Sequence, residues 1–255
     1  MQKKTENLKA YDYMLRGMDY LRRRTRLENR KARHMFEKAI DLDPGFASAY
    51  VGLGQTYQVQ VSFGWTEFPI QVLQKAKDLA LKALSLEESN AGAYTLLGLI
   101  YTYEEQYDLA INKLNRAIEL NPNDARSLAF RGQVLLWSGS VDAAIHSLET
   151  AYRFDPNMIH GNFMFLGIGY YLKGQYEKAI HVLEEGVSRK PNWVGNHIIL
   201  AAAYAQASRP SEAAQQAQEV LRLEPFFEIE DYGTVFRNQA DREKIIQGLR
   251  KAGLN

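Results

Sequence analysis

Between Ala91 and Pro225 the chain writes one 34-residue unit four times, nearly without a break. Each copy places a small residue, then an alanine twelve positions on, then a proline twelve further. The copies read Gly98, Ala110, Pro122; Gly132, Ala144, Pro156; Gly167, Ala179, Pro191; and Ala201, Ala213, Pro225. A fixed period of this length means a stack of like supersecondary units, and it limits the fold more than any other feature. In the copy from Ala91, residues Tyr94, Leu97, Gly98 and Tyr101 are three and four apart and share one helix face. After a turn at Glu104-Glu105-Gln106, Ala110, Leu114, Ala117 and Leu120 repeat that spacing on a second helix. Gly98 and Ala110 lack bulk, so the two helices can approach toward the short end of roughly 8–10 Å. Pro122 has no N–H and biases Asn121 away from helical angles, which ends the second helix. Asp124 then stands where it can cap the next one. One such hairpin buries a single face and needs its neighbours to be stable.

The pattern Tyr94-x-x-Leu97-Gly98-x-x-Tyr101, with Ala110, Leu114, Ala117 and Pro122, resembles the tetratricopeptide (TPR) repeat. Later copies match through Leu128-x-x-x-Gly132, Phe163-x-x-Leu166-Gly167-x-x-Tyr170 and Leu200-Ala201-x-x-Tyr204. Arg131, Leu135 and Gly186 depart from it, the last standing where a late alanine is usual. The resemblance implies an all-α fold: a right-handed superhelical α-solenoid of antiparallel helix pairs, about six repeats and a C-terminal capping helix. The expected repeats run about 10–46, 47–90, 91–124, 125–159, 160–193 and 194–227, with a capping segment at 228–255 and a tail at 1–6. They are expected to form a single array over 7–255.

Two repeats are stretched. From Gly17 to Ala32 is fifteen residues, about three more than the period needs. That turn is basic, with Arg22, Arg23, Arg24, Arg26, Arg30, Lys31 and Arg33 against Glu28. Such a cluster suits phosphate or anionic lipid. No aromatic residues interleave the arginines, which favours a solvated turn instead. From Gly54 to Ala76 is twenty-two residues, and the added segment holds Phe63-Gly64-Trp65-Thr66-Glu67-Phe68-Pro69. Gly64 suits a turn and Pro69 suits the first position of a lengthened helix. The three aromatics are expected to pack against the first repeat or seal the hairpin rather than form a ligand platform. One further residue is inserted near Ile159-His160. Beyond Pro225, Phe226–Phe236 is expected as a short helix or irregular piece. A helix from Asp241 then carries Ile245, Ile246 and Leu249 and covers the last apolar surface.

A net charge of +1 gives no global pull toward nucleic acid or anionic surfaces. With no cysteine there is no disulfide framework, thiolate metal site or cysteine nucleophile. No apolar run is long enough to span a bilayer, and residues 1–25 lack the apolar core of a signal peptide. None of the five histidines forms an i, i+4 pair with an acidic companion. His146 and His181 occupy the same slot on successive second helices. Gly52-x-Gly54 lacks the preceding strand of a phosphate loop, and Glu104-Glu105 is a solvated turn. These readings argue against catalysis, and no cofactor or metal is expected.

The first helices of the pairs should line an inner wall. Counted from the Gly98 position, its central residues are Gln55, Thr95, Leu99, Gln133, Trp137, Met164, Ile168, Tyr171, Ile198 and Gln206. This wall is mostly apolar with scattered amides. It lacks the lysine, asparagine and arginine set with which carboxylate-holding TPR domains are known to work. The expected ligand is an apolar or amphipathic protein or peptide segment, or a second copy of the chain. Part of the stripe would be hidden if curvature or the chain's own tail covers it.

A second resemblance concerns context. The opening Leu8-Lys9-Ala10-Tyr11-Asp12-Tyr13-Met14-Leu15-Arg16-Gly17, the insert around Gly64-Trp65, and the tail from Asp241 to Leu254 are similar to one group of proteins. These are the C-terminal TPR regions of bacterial multidomain regulators that carry a class III adenylate cyclase or a winged-helix domain. The resemblance implies a non-catalytic interaction scaffold within a larger bacterial signalling protein, cytoplasmic or, as part of a membrane-anchored regulator, periplasmic. The alternative is a regulatory domain that senses a small molecule in the same groove.

Overall fold

The computed structural model of the protein describes residues 5–157 and 161–255. Every regular element among the described residues is a helix, with no strand among them. Twelve of the helices pair as hairpins. The first pair is α1 (Leu8–Arg22) with α2 (Arg26–Leu42), followed by α3 (Ala47–Ser62) with α4 (Pro69–Leu86) and α5 (Ala91–Tyr103) with α6 (Tyr107–Leu120). Then come α7 (Ala125–Trp137) with α8 (Val141–Phe154), α9 (Gly161–Leu172) with α10 (Tyr176–Arg189), and α11 (Val194–Gln206) with α12 (Pro210–Leu223). A 3-10 turn at Ile229–Asp231 precedes α13 (Gln239–Lys251). The residue expected to be inserted near Ile159-His160 lies outside the described residues.

The hairpins close because the small residues admit a neighbour's side chain. A Cβ added at Gly98 would stand 2.6 Å from Leu114 Cγ and 3.3 Å from the Ala110 carbonyl oxygen. At Gly132 the corresponding distances are 2.5 Å to Leu148 and 3.2 Å to Ala144. The same sequence signature thus produces the same contact one repeat later. Helix starts follow capping chemistry: the side chains of Asn7, Thr25, Asn90 and Asp124 accept from free N–H groups of α1, α2, α5 and α7. Pro69 and Pro210 sit in the first turns of α4 and α12, where no partner for the N–H is lost. Gly139 and Gly174 end α7 and α9 in the left-handed region, at φ of 90° and 72°.

The chain divides into two compact units, residues 1–122 and 123–255. In the first, α1, α3 and α5 lie side by side, and α2 and α4 each pack onto the next first helix. Its core runs from Ala32, Phe36 and Leu53 to Ala76, Leu96, Leu97 and Ile100. The long insert behaves as expected in part. Trp65 packs on the cluster of Leu21 and Phe36 and stacks with Phe63 at 4.9 Å, whereas Phe68 stays exposed.

In the second unit α7, α9 and α11 form the corresponding layer, with α8 and α10 packed onto the next first helix. The capping helix starts at Gln239 rather than Asp241, because the Asn238 side chain accepts from the Ala240 N–H and acts as its cap. It packs on α11 and α9, the first helices, and lies along their free face. Ile245, Ile246, Leu249, Ala252 and Leu254 are buried, while Glu243, Gln247, Arg250 and Lys251 face outward. That amphipathic division is what holds a helix on an apolar layer.

Candidate partner-binding surfaces

The expected wall residues fall into two sets, one in each unit. In the first unit Gln55, Thr95 and Leu99 come from α3 and α5, and all three are buried. Thr95 and, two turns on, Thr102 return their hydroxyl protons to helix carbonyls, at Ala91 and Gly98. Gln58 donates to Ser62 at 2.6 Å, and Ser62 and Tyr103 share a hydroxyl contact of 2.5 Å. Gln55 differs from its neighbours. Its Oε1 is buried with no hydrogen-bond partner among the described residues. An unpaired buried amide oxygen costs free energy unless something donates to it.

In the second unit the C-terminal segment lies against Trp137 and Tyr171, and Gln206 joins Tyr171. The Arg237 N–H donates to the Trp137 carbonyl at 2.8 Å. Tyr171 donates to the Lys244 carbonyl at 2.8 Å, and the Lys244 ammonium donates to the Leu172 carbonyl at 2.7 Å. Gln206 reaches the Tyr171 hydroxyl at 3.5 Å. Ile168, Tyr171 and Ile198 are buried, while Gln133, Trp137, Met164 and Gln206 are half-buried. Burial pushes the Tyr171 phenol up to about 12, with the neighbouring Tyr176 adding to the effect. The Trp137 ring meets Phe165 edge-on at 5.9 Å.

A third surface was not visible as a site in the sequence. Residues of α8, α9 and α10 enclose an open depression of about 810 Å³. His146 and His181, read as a tolerated slot, both line it, with Arg153 and Lys178 beside them. Its walls are braced by two tyrosine–glutamate pairs. Tyr170 donates to Glu149 at 2.7 Å, and Tyr152 to Glu185 at 3.0 Å. Burial first, and then the adjacent carboxylate, raise both phenols above the ordinary tyrosine value. The equal spacing of the two histidines was the one signal available. His197, by contrast, is a core histidine with both ring nitrogens engaged, at 2.7 Å from Gln216 Oε1 and 2.7 Å from the Pro191 carbonyl. No cluster of metal-ligating side chains occurs among the described residues, and no helix among them is long and apolar enough to cross a membrane.

This architecture defines an all-α helical-repeat protein. Residues 98–139 match the family described as TPR repeat. A stretch of 105 residues is 30% identical to human protein O-mannosyl-transferase TMTC3, which amounts to 41% of this chain and 10% of that protein. The chain thus spans about a tenth of that relative's length. Among solved structures, the APC/C hetero-tetramer Cut9–Hcn1 is similar with a TM-score of 0.72 at 20% identity, over 96% of this chain and 42% of that one. YrrB, a TPR protein with an unusual peptide-binding site, is similar with a TM-score of 0.55 at 20% identity, over 75% of this chain and 93% of that one. At such identities the likeness is one of fold.

Proposed function

We propose that the chain is a non-catalytic scaffold that holds an apolar or amphipathic protein segment against the layer of first helices. The observation that carries this reading is α13. It is an amphipathic helix of the kind the wall chemistry calls for, and the first-helix layer of the second unit already grips it through apolar burial and side-chain-to-backbone hydrogen bonds. YrrB, a repeat protein of similar fold, carries a peptide-binding site. In the first unit the unpaired Gln55 oxygen supports a partner that brings a hydrogen-bond donor to the wall. The resemblance of the opening, insert and tail favours a regulatory or assembly module of a larger bacterial signalling protein, on either side of the inner membrane.

Site-specific photo-crosslinking tests the reading. A photoreactive residue at Gln55 should trap a protein segment with an amphipathic or apolar pattern, and one at Trp137 should trap it only when α13 is displaced. Crosslinks to neither a segment nor a second copy would refute it. The depression beside His146 and His181 favours a second reading, in which a small regulatory molecule binds the second unit. Metabolites that shift the fluorescence of Trp137 or Trp193 without any peptide would favour that alternative.

A further inference from the structure

The basic turn between α1 and α2 places seven basic residues and one acid within Arg22–Arg33, a local charge of +6 in a chain whose total is +1. Part of this cluster is used internally. Arg23 pairs with Asp19 and Glu28, Lys31 pairs with Glu28, and Arg33 donates to Gln60 at 2.6 Å over the Tyr57 ring. Arg22, Arg24, Arg26 and Arg30 are exposed, and none of them pairs with a carboxylate among the described residues.

The tip of the next hairpin lies on the same edge. Asn29 donates to the Thr56 carbonyl at 3.0 Å, and Trp65 packs on the cluster containing Leu21. The aromatic residues that the basic turn lacks in its own sequence are therefore supplied by its neighbour in space. On these two turns apolar side chains stand out into solvent: Leu27, next to Arg26, at 61% exposure, and on the neighbouring insert Phe68 at 61% and Ile70 at 82%. Glu67 is the exposed carboxylate on this insert.

We propose that this edge of the first unit docks peripherally on an anionic lipid bilayer. The four arginines would meet the phosphate headgroups while Leu27, Phe68 and Ile70 enter the boundary between headgroups and acyl chains. Charge complementarity and apolar insertion reinforce each other at such a surface, and either alone gives weak attachment. A nucleic acid would use the arginines but has no place for protruding Leu27 and Ile70, and the ring faces of Phe63 and Trp65 are spent on each other. A folded partner favours a contiguous apolar core inside a polar rim. Here the exposed apolar side chains are split between two turns, one of them basic, and a fluid interface accommodates that because each side chain finds its own depth.

Flotation of the full chain with vesicles tests this directly. The chain should float with phosphatidylcholine vesicles carrying phosphatidylserine and stay behind with phosphatidylcholine alone. Replacing Arg22, Arg24 and Arg26 by glutamine should lower the partition about fivefold per arginine, and raised salt should mimic that loss. The pair Phe68→Ser and Ile70→Ser should lower it about tenfold at unchanged charge. All five positions are exposed, so circular dichroism and Tm should match wild type and separate lost attachment from lost folding. The proposal is overturned by equal flotation with neutral vesicles, by no flotation with either, or by arginine variants that float undiminished. It is also overturned if a single-stranded oligonucleotide binds the chain more tightly than the charged vesicles do.

Discussion

The Tyr171 hydroxyl donates to the Lys244 carbonyl across 2.8 Å and so ties α9 to the middle of α13. One turn further on, Gly248 passes directly over the same phenol. A Cβ there would stand 2.1 Å from the Tyr171 oxygen and 3.0 Å from Ala202 Cβ. The absence of a side chain at Gly248 is thus what lets the tail helix seat on the first-helix layer.

Gly248→Ala is therefore expected to lift α13 even though alanine is the better helix former. Overpacking of this kind costs about 1–3 kcal/mol. Limited proteolysis should cut between Arg237 and Arg250 faster in the variant, and Trp137 fluorescence should shift as its cover leaves. A variant as resistant as wild type would mean that the tail is held elsewhere.

Tyr171→Phe removes the bond to the Lys244 carbonyl and the long one from Gln206, and is expected to cost about 1 kcal/mol. It should also change the alkaline limb of stability. An ordinary tyrosine titrates near 10, whereas burial holds Tyr171 up to about 12 in the folded chain. The folded state thus keeps a proton that the unfolded state releases. This contribution is fully present below about pH 10 and is lost as the pH rises through about 12. Thermal melts across that range should fall less steeply for the phenylalanine variant.

The repeat, its hairpins and most helix limits were legible because each depends on local chemistry: a proline that stops a helix, a cap that starts one, a glycine that admits a leucine. The docking of the tail was not. The stripe of Ile245, Ile246 and Leu249 announces an apolar face, but many apolar surfaces would accept it, and the choice is made by complementarity at Gly248, over two hundred residues from α1. Register alone puts Ile168 and Tyr171 on the wall, and both are buried, Tyr171 against a segment that register cannot position. The depression on α8, α9 and α10 is not legible in the sequence because His146 and His181 merely look alike there, whereas the cavity forms only where side chains of all three helices meet.

Gln55→Leu is a similar-volume change that removes an unpaired buried oxygen. It is expected to leave the chain as stable as wild type or to raise Tm by a few degrees. If a partner donates to that oxygen, the same variant should weaken partner capture by about 1–3 kcal/mol while the fold is unharmed. A fall in stability would show that the amide is paired in solution, and the wall would lose Gln55 as a contact point for a ligand.

Gly186 stands where the repeat usually places alanine, and its reason lies on the next hairpin. A Cβ there would be 2.6 Å from Asn196 Nδ2 and 2.8 Å from Phe163 Cβ. Asn196 is fully buried, and both its side-chain oxygen and nitrogen lack a hydrogen-bond partner among the described residues. The two departures from an apolar, alanine-lined contact occupy one space. Gly186→Ala alone is expected to destabilise by about 1–3 kcal/mol, since Asn196 has nowhere to move. Asn196→Ala alone should be close to neutral, because the cavity it opens offsets the relief of two unpaired polar groups. The double variant should recover at least half of the loss caused by Gly186→Ala, the new methyl filling the space the amide left. Urea unfolding of all four proteins measures the coupling, which should exceed about 1 kcal/mol for residues in contact. Strictly additive effects would mean that Gly186 is there for the closeness of Phe163 alone.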